Sequence, residues 1–151
     1  MSEYDAAALF MVLFVPAAAA LSWFISRGWR DLATAYRLND QFSGERWFFR
    51  TGVIADTTYG CLLIVGGDLR GAYFSTCLPS AICPPLLIPW GDIQGVERKG
   101  LLVRFVELKF VKGPPDGQHE ISGRVADRLE SVSGGAWRYQ RAKKTVIFGR
   151  D

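Results

Sequence analysis

From Ala6 to Ser26 the chain carries an unbroken apolar run without a charged residue, and Arg27 and Arg30 follow it at once. A helix rises about 1.5 Å per residue, so a run of this length matches the roughly 30 Å hydrocarbon core of a bilayer. The remainder is too polar and too often interrupted by Gly and Pro for a second such span. The sequence therefore predicts a transmembrane anchor in residues 1–27. The competing assignment is a cleaved secretory signal, which needs a basic segment ahead of a shorter apolar core. Here Glu3 and Asp5 precede the run, and Leu21 to Ile25 carry it past the small residues Ala17 to Ala20.

Lys and Arg at the end of a span hold that end on the cytoplasmic side. Arg27, Arg30 and Arg37 all follow the run, and no Lys or Arg precedes it. The expectation is a single-pass protein of the cytoplasmic (inner) membrane, with its N-terminus outside and its remaining domain in the cytoplasm. Trp23, Arg27, Trp29 and Arg30 form the expected membrane-interface set, aromatic belt and cations together. Pro16 predicts a bend inside the span. Ala18 and Ser22, four residues apart, give a narrow face that either admits another helix or simply meets lipid. A net charge of +3 suits contact with anionic lipid heads but lacks the clustered basic stripe of a nucleic-acid interface. The bilayer is thus an expected partner and nucleic acid is not.

Beyond the run, Trp29 to Leu38 places Trp29, Leu32, Ala33 and Tyr36 on one side and Arg30, Asp31 and Arg37 on the other, an amphipathic helical spacing. Such a helix either lies on the headgroups or continues the anchor. Asn39 to Glu45 carries loop residues, so residues 28–44 read as a juxtamembrane helix and linker. From Arg46 to Lys112 the pattern becomes short apolar runs punctuated by Gly and Pro, which is strand grammar. The expected strands are Arg46 to Ile54, Gly60 to Val65, Gly71 to Cys77, Pro85 to Ile88, Gly95 to Arg98 and Leu102 to Val111, with Gly66 to Gly71 as a hairpin connection. After the turn Gly113 to Gly117, Gln118 to Ile121 is the last expected strand. Ser122 is a candidate N-cap for a helix carrying Val125, Leu129 and Val132, stopped by Gly134 and Gly135. The fold class is α+β: an N-terminal transmembrane helix, then a bent antiparallel sheet or barrel over residues 45–133 closed by a C-terminal helix, then a basic and aromatic tail over 134–151.

The stretch Leu86-Leu87-Ile88-Pro89-Trp90-Gly91-Asp92-Ile93-Gln94-Gly95-Val96 resembles the strand, Pro, turn, Ile, Val signature of bacterial PH-like and GRAM-like domains. Gly60 to Val65 and Asp68 to Ser75 are similar to that family's paired strands. The resemblance covers residues 45 to 133 and implies the PH superfold, a seven-stranded bent sheet with a C-terminal helix. It implies a binding or scaffolding role more often than an enzymatic one. Only Arg46 and Arg50 lie near the first strand, without the dense Lys and Arg cluster of phosphoinositide-binding members, so headgroup recognition does not carry over.

Chemistry-bearing motifs are sparse. His119 has no second His at metal-ligand spacing and reads as a partly exposed strand residue. Cys61, Cys77 and Cys83 form neither CxxC nor a zinc ribbon; they read as small apolar residues of a cytoplasmic domain, with a Cys77 to Cys83 disulfide open if the sidedness is reversed. No phosphate loop, nucleophile elbow or zincin motif occurs, so no catalytic, cofactor-binding or metal residue is assigned and no cofactor is expected. Asp92 reads as a turn residue.

Two segments point to interaction instead. Leu78 to Pro89 is apolar and Pro-rich where loops are usually polar; Leu87 and Ile88 suit an internal cover, and Leu78, Ala81 and Ile82 an interaction surface. In Ala136 to Asp151, aromatics alternate with cations. Trp137, Tyr139 and Phe148 suit a segment lying on a partner or on anionic lipid, against the alternative of a frayed terminus. The expected partner-binding set is Ala18, Ser22, Leu78, Ile82, Trp137, Tyr139 and Phe148. The expected function is a non-catalytic accessory or scaffold subunit that docks a PH-like domain on a larger membrane protein complex. The alternative is a peripheral sensor of lipid headgroups or of a small ligand.

Overall fold

The computed structural model describes residues 27–100 and 103–142. Helix α1 (Arg27–Tyr36) precedes seven strands: β1 (Glu45–Ile54), β2 (Thr57–Gly67), β3 (Gly71–Thr76), β4 (Leu86–Pro89), β5 (Ile93–Lys99), β6 (Arg104–Phe110) and β7 (His119–Ser122). A short 3-10 turn, Trp90–Asp92, joins β4 to β5, and helix α2 (Gly123–Val132) follows β7. All strand pairs are antiparallel, in the order β4-β3-β2-β1-β7-β6-β5, and the sheet curls into a half-barrel.

Alternation builds the core. In β6, Val106, Leu108 and Phe110 are buried while Lys109 faces solvent. Leu63, Val65, Phe74, Leu86, Ile88 and Ile121 meet them inside the curl. The β1–β2 connection is a two-residue hairpin in which Ala55 (φ 49°) and Asp56 (φ 63°) both adopt positive φ, as type I′ turns require. The segment before β7 holds this turn: Asp56 N–H donates to the Gln118 carbonyl at 3.1 Å and Gln118 N–H to Asp56 Oδ1 at 2.8 Å. The expected hairpin at Gly66 to Gly71 is present, closed by Asp68 N–H on the Gly71 carbonyl and by Arg70 N–H on Asp68 Oδ1. Ser122 Oγ accepts from Val125 N–H at 3.4 Å, the expected N-cap.

Both edges of the sheet are covered. At β4, Leu38 N–H donates to the Pro85 carbonyl beside an Arg37–Leu86 bridge. At β5, residues 137–142 run alongside: Glu97 N–H donates to the Gln140 carbonyl and Gln140 N–H to the Gly95 carbonyl, both at 2.8 Å. Covered edges cannot template pairing with another chain.

Three expectations are corrected here. Among the described residues no helix is long and apolar enough to cross a membrane, so placement as a single-pass protein of the cytoplasmic membrane has no support and is withdrawn. The run Ala6 to Ser26, with Pro16, Ala18, Ser22 and Trp23, lies outside the described residues. Second, α1 is neither a headgroup helix nor a linker. It buries Trp29, Leu32, Ala33 and Tyr36 in the core of the domain, Trp29 Nε1 donates to the Pro84 carbonyl at 2.8 Å, and Lys112 N–H donates to the Tyr36 hydroxyl at 2.8 Å. An amphipathic stripe looks the same from sequence whether lipid or a sheet covers it. Third, the tail from residue 134 does not stay apart from the domain: Trp137 and Tyr139 are core residues.

Candidate docking site

β1 carries Trp47, Phe48 and Phe49 in succession. A pleated strand buries every second residue, so three consecutive aromatics cannot all face the core. The structure resolves this with a bulge. Trp47 pairs with Val65, but the next pair is Arg50 with Leu63, so β1 carries one residue more than β2 across that step. Phe49 takes up the excess at φ 55°, a left-handed conformation that is an outlier for a bulky side chain. Between Arg50 and Gly52 the excess moves to β2, where Cys61 sits at φ 56° and donates its N–H to Thr51 Oγ1 at 3.1 Å.

The double irregularity turns apolar side chains outward. Phe48 is 48% exposed, Phe49 71% and Leu62 41%, and the two Phe rings lie 6.5 Å apart. Backbone strain of this kind is held only where the surrounding structure over-determines it, and it concentrates at binding sites. β2 supplies the restraint on one side. On the other, β1 pairs with β7 only at Gly52 and Val53, so its flank from Glu45 to Thr51 has no strand beside it among the described residues. A groove of about 200 Å³, lined by Thr51, Gly52, Val53, Thr58, Phe105, Glu120, Ile121 and Ser122, lies where β7 joins β1.

Cations surround this flank. Arg46 is exposed, and Arg50 keeps its Nε buried without a hydrogen-bond partner. From α2, the Arg128 guanidinium stands 5.6 Å over the Trp47 ring, and Arg124 is exposed one turn earlier. The two nearby carboxylates of α2 are committed to cations elsewhere, and Glu45 on the flank itself is held by an indole. Asp127 accepts from Arg104 Nη2 and, at 2.6 Å, from the Tyr139 hydroxyl; these bonds overcome the burial that would raise its pKa and hold the carboxyl below its ordinary value. Glu130 binds Arg141 at 2.8 Å, and Glu45 accepts from Trp47 Nε1 at 2.8 Å.

The residues expected to bind partners fare differently. Trp137 stacks on Trp90 at 5.9 Å and donates Nε1–H to the Ile93 carbonyl at 3.1 Å. The Tyr139 hydroxyl, its pKa pushed up to about 12 by burial and then by Asp127, closes a network with Arg104 and Asp127. Neither side chain is free for a partner. Leu78 and Ile82 are half-buried and pack against the core, whereas Ala81 is exposed. Phe148, like Ala18 and Ser22, lies outside the described residues. Of the membrane-interface set, Trp29 is fully enclosed, Arg27 is exposed and Arg30 half-buried.

His119 is also corrected. It is 1% exposed rather than partly exposed, packs on the Phe110 ring at 4.4 Å, and its Nδ1 accepts from Ala55 N–H at 3.0 Å. Burial lowers its pKa to about 4, with Asp56 opposing. Cys61 and Cys77 are exposed thiols and Cys83 is a buried one, so no disulfide joins Cys77 to Cys83. Asp92 pairs with Lys112 at 3.4 Å. Among the described residues no group of three or more His, Cys, Asp or Glu side chains is placed to hold a metal ion.

Phe48, Phe49 and Leu62 are not among the residues expected to bind a partner. The signal was available in Trp47-Phe48-Phe49, because strand alternation must turn at least one of three consecutive aromatics to solvent. The chain matches no family model and no curated protein.

Proposed function

We propose that this chain is a non-catalytic docking module with a PH-like half-barrel, an accessory subunit that attaches to a larger protein assembly through the β1 bulge. The observation that carries the reading is Phe48 and Phe49, two adjacent exposed aromatics of which one is held at positive φ. An exposed aromatic pair gains free energy only when covered, and a left-handed non-glycine residue costs about 1–2 kcal/mol. A fold that keeps both features has them for contact. Supporting the PH-like assignment are the seven antiparallel strands, the strand order whose ends β4 and β5 do not pair with each other, and the helix after the last strand.

Photo-crosslinking tests it. With benzoylphenylalanine in place of Phe49 in the full-length chain, in its native cell, irradiation should give one dominant protein adduct. The same group in place of Leu69, an isolated residue 80% exposed at the β2–β3 turn, should give none. Equal adducts from both positions, or none from position 49, would remove the docking role.

A further inference from the structure

We propose that the partner presents an extended acidic segment with apolar side chains, laid along the free flank of β1 from Glu45 to Thr51. This rests on the docking reading above and adds the chemistry of the occupant. Three observations converge on it. The flank has a strand on its β2 side and, among the described residues, none on the other, so its outward backbone groups are placed to pair with an added strand. Phe48 and Phe49 offer apolar contact to side chains of such a strand. Arg46, Arg50, Arg124 and Arg128 supply positive charge with no ion pair among the described residues, while Asp127 and Glu130 of α2 are bound to Arg104 and Arg141. The buried, unbonded Nε of Arg50 is a donor that a carboxylate would satisfy.

Glu120 sets the direction. It is the carboxylate of the groove, beyond Gly52 where β7 begins to cover β1. The acidic side chains therefore belong along Arg46 to Arg50, and the segment ends before Glu120. The sheet's outer edges at β4 and β5 are not alternatives, because residues 37–38 and 137–142 already occupy them.

The test uses the full-length chain in mild detergent and a short fluorescein-labelled peptide of alternating Glu and Leu, with the same peptide carrying Lys for Glu as control. Anisotropy should show saturable binding of the Glu peptide and none of the Lys peptide. The pair Arg46→Glu and Arg124→Glu, both exposed side chains outside the core, should weaken binding by about ten-fold or more. Amide exchange at Phe48 to Thr51 should slow in the complex. Equal binding of both peptides, indifference to charge reversal, self-association of the chain through this face, or binding of phosphatidylserine vesicles in place of the peptide would each overturn the proposal. If position 49 crosslinks a protein while the Glu peptide does not bind, the docking role stands and only the acidic-strand chemistry fails. If neither occurs, both fail.

Discussion

His119 and Phe49 are single residues whose environments have measurable consequences. Nδ1 of His119 accepts a hydrogen bond from Ala55 N–H inside the core, so the folded chain holds the neutral imidazole. Its pKa falls from 6.5 to about 4. Below pH 6.5 the unfolded chain takes up a proton that the folded chain refuses, so stability declines as pH drops toward 4 and levels off below it. The full difference corresponds to about 3 kcal/mol. Urea titrations between pH 4 and 7 should show this slope in the native chain and a shallower one in His119→Gln; an unchanged slope in the variant would place the pH dependence elsewhere. Phe49 carries the opposite kind of cost. Replacing it with Gly removes the left-handed strain and an exposed ring, and should raise stability by about 1 kcal/mol. A loss of stability in Phe49→Gly would show that the ring packs where its exposure says it does not.

The helices and the final strap owe their roles to what they cover. Trp29 in α1 donates to the Pro84 carbonyl and meets the Tyr59 ring edge-on at 5.3 Å. Trp29→Ala should destabilise the chain by about 3–5 kcal/mol, the range for truncating a buried aromatic. A surface tryptophan would change stability by less than about 0.5 kcal/mol, so thermal denaturation separates the two. The strap at residues 137–142 depends on Gly95, where an added Cβ would lie 2.7 Å from Tyr139 Cβ and 2.9 Å from the Trp137 ring. Gly95→Ala should therefore push the strap from β5 and cost about 1–3 kcal/mol, with a change in Trp fluorescence as the Trp90–Trp137 stack opens. Unaltered fluorescence and stability would mean the strap yields without leaving.

At the scale of the fold, the half-barrel keeps its outer edges closed and, among the described residues, leaves one flank of β1 without a neighbouring strand. A chain ending at Gly135 would lack the strap and expose the β5 edge. It should self-associate on light scattering where the intact chain does not, because an unprotected strand edge templates pairing. A monodisperse truncated chain would show that α2 and the core suffice to guard that edge.

Much of this was legible in local pattern. Alternation placed the β strands, Ser122 marked the start of α2, and Asp68 with its glycines marked the β2–β3 turn, since each of these depends on neighbours close in sequence. The destination of an apolar face depends on distant residues. The sequence leaves the stripe of α1 between the headgroups and a continuation of the anchor, and offers the aromatics of the strap to a partner or to anionic lipid, yet Tyr59, Phe110, Trp90 and Ile93 cover them from elsewhere in the chain. The bulge followed the same logic. Three aromatics in a row required one to turn outward, but the register of β1 against β2 decided that Phe48 and Phe49 would be the ones exposed. By itself the sequence determined the elements and their order, because local periodicity and turn chemistry suffice for those; tertiary structure alone decided which apolar surfaces were left for a partner, because burial is a property of the contacts between elements.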